Sequence, residues 1–195
     1  MNRFRLSLFV VVVLFIISFA FAKNTQKILM IIASQNFRDE ELLIPKKLFE
    51  KEGYEVTIAS TSLKPCKGML GAVVTPQVVI DEVKVDDYSA VVFVGGVGAQ
   101  EYFNHPGAHR IAKEGVSRGK IIGAICLAPV ILAEAGVLKG KKATVWASEG
   151  KTLEAKGAHY TGKSVEVDGD IITASGPQAA EEFGKSIISL LKSRK

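Results

Sequence analysis

IIGAICLAPVILAEAG, residues 121–136, is the stretch whose reading decides the fold. Its first five residues are β-branched or small, as in a strand buried on both faces of a parallel sheet. The run stops at Cys126, and a helix is expected at once over 127–136, with Gly136 as its stop signal. A strand that turns abruptly into a helix lifts the intervening side chain out of the sheet. That is the geometry of a nucleophile elbow, which needs small neighbours, here Ala124 and Ala128. A thiol at a helix N-terminus is expected to have a lowered pKa, because the partial positive charge there favours thiolate. The same residue also suits an inert core cysteine, so two readings of Cys126 stand at this point.

Outward from this unit, short apolar runs alternate with amphipathic segments. Strands are expected over 27–33, 54–60 and 90–94, and helices over 39–52 and, after Pro106, over 107–117. Strand–helix alternation with short connections gives an α/β fold, a mostly parallel sheet with helices on both faces. Beyond Gly140 the pattern predicts a strand near 143–147, a helix near 149–156, strands near 164–167 and 170–174, and a final helix over 178–192. Asp168-Gly169 between the last two strands predicts a small antiparallel hairpin with a type I′ turn.

Two further segments carry candidate chemistry. VGGVGAQEY, from Val94 to Tyr102, follows a strand's carboxyl end, where ligands of open α/β sheets gather. Gly95, Gly96 and Gly98 let backbone N–H groups face such a site as oxyanion donors, although a tight turn alone would also explain them. ASQNFRDEELLIP, from Ala33 to Pro45, offers Asp39, Glu40 and Glu41. Any of these can reach the cysteine from a neighbouring strand end, or merely occupy the dipole-favoured first turn of a helix.

The chain begins differently from the rest. Arg3 and Arg5 precede LSLFVVVVLFIISFAFA, which ends on Ala20-Phe21-Ala22, the small-x-small pattern of a cleaved signal peptide. Residues 1–22 are therefore expected to be a signal peptide and 23–195 one domain, exported to a periplasmic or extracellular space; the alternative is an uncleaved membrane anchor. Loss of the two arginines lowers the formal charge from +5 to about +3. Scattered lysines without interleaved aromatics give no footprint for nucleic acid. There is no CxxC or Cys/His ligand cluster, so neither metal nor other cofactor is expected. Cys66, in the loop-like LKPCKG, is not expected to bridge Cys126.

Taken together, FRDEELLIP, VVFVGG, AICLAP and ITASGP resemble the DJ-1/PfpI family in order and spacing, from about Lys27 to Lys192. The resemblance implies a flavodoxin-like sandwich, a homodimer or higher oligomer, and a reactive cysteine, Cys126. It also implies that Glu41 of E-L-L-I-P is the protonated partner of that cysteine, and that Gly96 and the amide of Leu127 are oxyanion-type donors. The chain departs from the family in its histidines. PfpI-type proteases carry one directly after the cysteine, where this chain has Leu127, and other members draw one from the strand where this chain has Trp146 in ATVWAS. His105, His109 and His159 read as structural or exposed.

Three functions follow as expectations. The first is an enzyme using Cys126 on small carbonyl or acyl compounds, in the glyoxalase-like and deglycase-like manner that the resemblance implies for stress protection. The second is a non-enzymatic redox sensor or chaperone in which Cys126 meets oxidants. The third, a cysteine peptidase, lacks a visible base and ranks last. The expected partners are a small-molecule substrate or oxidant and a second copy of the chain, with membrane contact only through an uncleaved N-terminal segment.

Overall fold

The computed structural model describes residues 26–194. The signal peptide expected over 1–22 lies outside the described residues. In chain order the elements are β1 (Lys27–Ile31), β2 (Gln35–Phe37), α1 (Asp39–Lys51), β3 (Glu55–Ser60), β4 (Cys66–Gly68), β5 (Val73–Val74), β6 (Val78–Val79) and β7 (Ala90–Phe93). There follow α2 (Pro106–Ser117), β8 (Ile121–Ile125), α3 (Pro129–Glu134), β9 (Lys142–Ala143), α4 (Gly150–Ala155), β10 (His159–Tyr160), β11 (Val165–Asp168), β12 (Ile171–Ala174) and α5 (Ala180–Ser193).

The main sheet has the strand order β11-β12-β8-β7-β1-β3-β6, parallel throughout except for β11 on its edge. Its central strands are buried along their whole length because helices cover both faces. Two neighbours in β8 show how tightly. The Ile122 side chain abuts Gly115 of α2, while Gly123 lies under Phe183 and Ile187 of α5, where an added Cβ would meet Phe183 at 2.9 Å. Successive strand residues point to opposite faces, so α2 and α5 cover opposite sides. This is the flavodoxin-like sandwich that the sequence resemblance implied.

The order of the strands positions the site. From β1 the chain winds outward to β3 and β6, then returns to β7 on the other side of β1 and proceeds to β8 and β12. The reversal between β1 and β7 opens a crevice at their carboxyl ends, the usual ligand position of such sheets.

Several local expectations are corrected. The segment after Cys126 is a turn through Ala128, and α3 begins only at Pro129. Proline is at home in the first turn because its missing N–H has no helical partner there. The strand expected near 143–147 is only β9, Lys142–Ala143. In the late hairpin Asp168 pairs with Ile171, so the turn residues are Gly169 and Asp170. Of these only Gly169 has positive φ, at 61°, which is the pattern of a turn with glycine first rather than of type I′. Cys66 lies in β4 and is buried, not in a loop, and both cysteines are free thiols. The small sheet β2-β4-β5 was missed, because its two- and three-residue strands carry too few alternations to register.

Candidate active site

Cys126 sits where β8 ends, with φ at +62°. A left-handed conformation costs a residue with a Cβ roughly 1–2 kcal/mol, so the surroundings must hold it there. They do so through the backbone. The Cys126 N–H donates to the Ala174 carbonyl of β12 (2.9 Å), and its carbonyl accepts from the Trp146 N–H (2.8 Å). The resulting turn aims the side chain into a pocket of about 390 Å³ at the crevice between the strand ends. That volume suits a small molecule. Cys126 is 8% exposed and lines the pocket together with Glu41, Gly96 and Leu127.

The three consecutive acids of α1 have separate tasks. Asp39 accepts from the N–H groups of Ala72 (2.7 Å) and Leu70 (2.8 Å), clamping the β4–β5 hairpin onto the helix start. Glu40 forms a forked pair with Arg38, to Nε at 2.8 Å and to the terminal nitrogen at 3.0 Å. Glu41 alone turns inward, fully buried, with the Gly95 N–H donating to Oε2 at 3.1 Å and the Cys126 thiol as its other neighbour. Helical spacing explains the division, since successive residues project about a third of a turn apart.

Burial pushes the Glu41 carboxyl up to about 8, against the pull of the Cys126 thiol, the Gly95 N–H and the Arg38 charge. Oε1 has no hydrogen-bond partner among the described residues. A buried, half-satisfied carboxylate is costly, and a proton removes that cost. Burial and then the Glu41 charge push the Cys126 thiol up to about 12, while the N–H groups of Gly96 and Leu127 draw it down. The lowered thiol pKa expected from a helix terminus is thus corrected. α3 is short and begins three residues away, and burial beside an acid outweighs it. The two acids share protons as a pair, and the state with one proton carries the nucleophilic form.

Gly95, expected as an oxyanion donor, gives its N–H to Glu41 instead. The N–H groups of Gly96 and Leu127 face the Cys126 sulfur and draw its pKa down. Gly96, with φ at +93°, must be glycine, because a Cβ would fall 2.5 Å from both the Arg38 nitrogen and the Asn36 oxygen.

No histidine lines the pocket. Nδ1 of His105 accepts from Gly107 and Ala108 at the start of α2, Nε2 of His109 meets the Phe103 carbonyl at 2.7 Å, and His159 is exposed in β10. Trp146, 44% exposed, forms a wall of the pocket with its ring lying on Gly176. Sequence reasoning missed Arg38, Gln100 and Gln178, which also line the pocket. Gln100 and Gln178 carry no local signal, but Arg38 was discoverable as the one cation in the loop that leads from β1 to Glu41. Among the described residues no group of three or more His, Cys, Asp or Glu side chains is placed to hold a metal.

Comparisons with known proteins agree with this architecture. The model of the DJ-1/PfpI family matches residues 26–190. An uncharacterised protein of Methanocaldococcus jannaschii is 44% identical over 169 residues, which cover 85% of this chain and 82% of that protein. The deglycase PfpI of Pyrococcus furiosus is 32% identical over 164 residues, 84% of this chain and 99% of the relative. Among solved structures, a ThiJ/PfpI domain protein from Brachyspira murdochii superposes with a TM-score of 0.85 at 31% identity, covering 87% of this chain and 98% of its own.

Proposed function

Since the chain belongs to the DJ-1/PfpI family, we propose that it is a cysteine-dependent enzyme acting on small carbonyl or acyl compounds, in the manner of a glyoxalase or deglycase. The observation that carries this reading is the pairing of Cys126, held at positive φ in a small-molecule pocket, with the buried Glu41 carboxyl. The relative named a deglycase supports the substrate class.

The chemistry needs one proton on the pair. The Cys126 sulfur adds to the carbonyl carbon, the π electrons move to oxygen, and that oxygen takes the proton from the pair, leaving a hemithioacetal and the Glu41 carboxylate. With a 2-oxoaldehyde, the carboxylate then removes the hydrogen on the thiol-bearing carbon as a proton, giving an enediol. Reprotonation at the neighbouring carbon yields a thioester, which water cleaves to a hydroxy acid and the free thiol. The N–H groups of Gly96 and Leu127 face the sulfur, beside the oxygen that gathers charge in the addition.

Turnover of methylglyoxal by the wild type and by Cys126→Ala tests the reading. Hydroxy-acid production that falls at least about a hundredfold in the variant is expected, because the nucleophile is removed outright. Equal rates in both proteins would overturn it. A second reading, a redox sensor, is favoured by the lack of any histidine in the pocket. It predicts no turnover but stepwise oxygen addition at Cys126 under graded peroxide, read by intact mass. A peptidase is disfavoured by the same lack of a base.

Export through cleavage after Ala22 and assembly as a homodimer belong to the same proposal. The first is tested by N-terminal sequencing of the cell-derived protein, with Lys23 expected as its first residue. Sedimentation of the purified protein tests the second.

A further inference from the structure

Resting on the reading of Cys126 as a nucleophile toward small carbonyls, the geometry points to Arg38 as a specificity-determining residue: it anchors the carboxylate of a short oxo acid whose carbonyl carbon meets Cys126. Charge is the first ground. The ionisable groups lining the pocket are Arg38, Glu41, Cys126 and Glu149. Glu41 keeps its proton below about 8 and the Cys126 thiol keeps its own, so neither repels an anion in the resting state. Glu149 accepts from its own chain neighbours, at Oε2 from Thr152 (2.9 Å) and at Oε1 from Ser148 (3.3 Å), and does not pair with Arg38, whose ion-pair partner is Glu40. Among the described residues Arg38 is the only cation on the wall.

Orientation is the second ground. Glu40 grips Nε and one terminal nitrogen of Arg38 in a fork, and the two donors of the other terminal nitrogen have no partner among the described residues. The backbone is held as well, since the Arg38 N–H donates to the Gly95 carbonyl at 3.0 Å and its carbonyl accepts from Leu42. A guanidinium fixed at both ends loses little freedom when it binds a carboxylate. Its side chain is 29% exposed, dry enough for such a bond to discriminate and open enough for a ligand to arrive. The Gln100 and Gln178 amides, which can donate without carrying charge, line the same pocket.

Two isosteric alkylating reagents read this subsite without any turnover. Iodoacetate and iodoacetamide both lose iodide as the Cys126 sulfur bonds to their methylene carbon, and they differ in a negative charge two bonds away. In the wild type the ratio of the iodoacetate rate to the iodoacetamide rate is expected to fall about tenfold or more on Arg38→Met, and less on Arg38→Lys, which keeps the charge but not the fork. Effects on the thiol itself cancel in the ratio. Salt gives a reading that needs no variant, because the wild-type ratio should fall as ionic strength rises. An unchanged ratio in Arg38→Met, or a wild-type ratio indifferent to salt, would overturn the assignment.

Glyoxal and glyoxylate together separate this inference from the one beneath it. Glyoxal rearranges to glycolate by the steps above, whereas glyoxylate can add to Cys126 as a hemithioacetal but has a carboxylate as its neighbouring carbon and so yields no new product; it serves as a competitor. Glyoxal turnover that glyoxylate inhibits, with the inhibition weakened about tenfold or more in Arg38→Met, supports both. If the alkylation ratio responds to Arg38 while glyoxal is not consumed, the anion subsite stands and the carbonyl-enzyme reading falls. If glyoxal is consumed and glyoxylate inhibits wild type and Arg38→Met alike, the enzyme reading stands and the subsite falls.

Discussion

The Gly95 N–H donates to Glu41 Oε2 across 3.1 Å, and this one bond ties the turn after β7 to the helix that carries the acid. A Cβ at Gly95 would stand 2.6 Å from that same oxygen, 2.6 Å from the Cys126 Cβ and 2.5 Å from the Ile125 carbonyl. Thus the ends of β7 and β8 and the first turn of α1 converge on a point with room only for hydrogen.

Gly95→Ala should therefore disturb the site as well as the fold. Overpacking of a closed site costs about 1–3 kcal/mol, which for a chain of this size lowers Tm by several degrees. Thermal denaturation measures the cost, and the alkylation rate of Cys126 reports the displaced carboxyl. A variant with wild-type Tm and rate would show that the convergence has slack.

The raised pKa of Glu41 has a consequence for stability. Its folded value, about 8, lies above the value of 4.5 for a free glutamate, so the native state holds a proton that the unfolded chain releases. Stability from this group is complete below pH 4.5 and is lost as pH rises toward 8, by up to about 3 kcal/mol at pH 7. Glu41→Gln has no such proton to lose. Denaturant titrations at pH 5 and pH 7.5 should show the variant gaining on the wild type with rising pH, and a constant difference would refute the shift.

The alkylation of Cys126 by a neutral reagent should follow the first ionisation of the pair, rising through a pH of about 8 in the wild type. In Glu41→Gln that step should vanish, and the thiol should titrate below about 12, because the charge that raises it is gone while an amide remains to face it. Glu41→Leu removes both charge and donor, leaving burial to hold the thiol higher than in the Gln variant. Ultraviolet thiolate absorbance against pH distinguishes the three proteins. Identical curves would mean that Glu41 does not sense the sulfur.

Cys66 is 1% exposed, whereas Cys126 opens on the pocket. Brief treatment of the folded protein with iodoacetamide should add one group, at Cys126, and a second only after denaturation. Intact mass and peptide mapping decide it. Early labelling of Cys66 would contradict the burial of β4.

Trp146 is the only tryptophan in the chain and forms a wall of the pocket that holds Cys126. Its emission should shift when Cys126 is alkylated and stay constant in Cys126→Ala treated alike. No change in the wild type would place the indole away from the thiol.

The sequence by itself determined the central strands, the long helices and the position of the elbow. Buried parallel strands must be continuous apolar runs, and IIGAI, AVVF and KILMI can be little else once helical patterns separate them. Cys126 at the end of such a run was visible for the same reason, and the resemblance of ELLIP singled out Glu41. Only the tertiary structure decided how Asp39, Glu40 and Glu41 divide their work, because that depends on what packs against each face of α1: a hairpin amide pair, an arginine and a thiol. It also decided the direction of the thiol's pKa. A sequence shows that a cysteine precedes a helix, but desolvation and the distance to another acid arise only when strands distant in the chain are brought side by side.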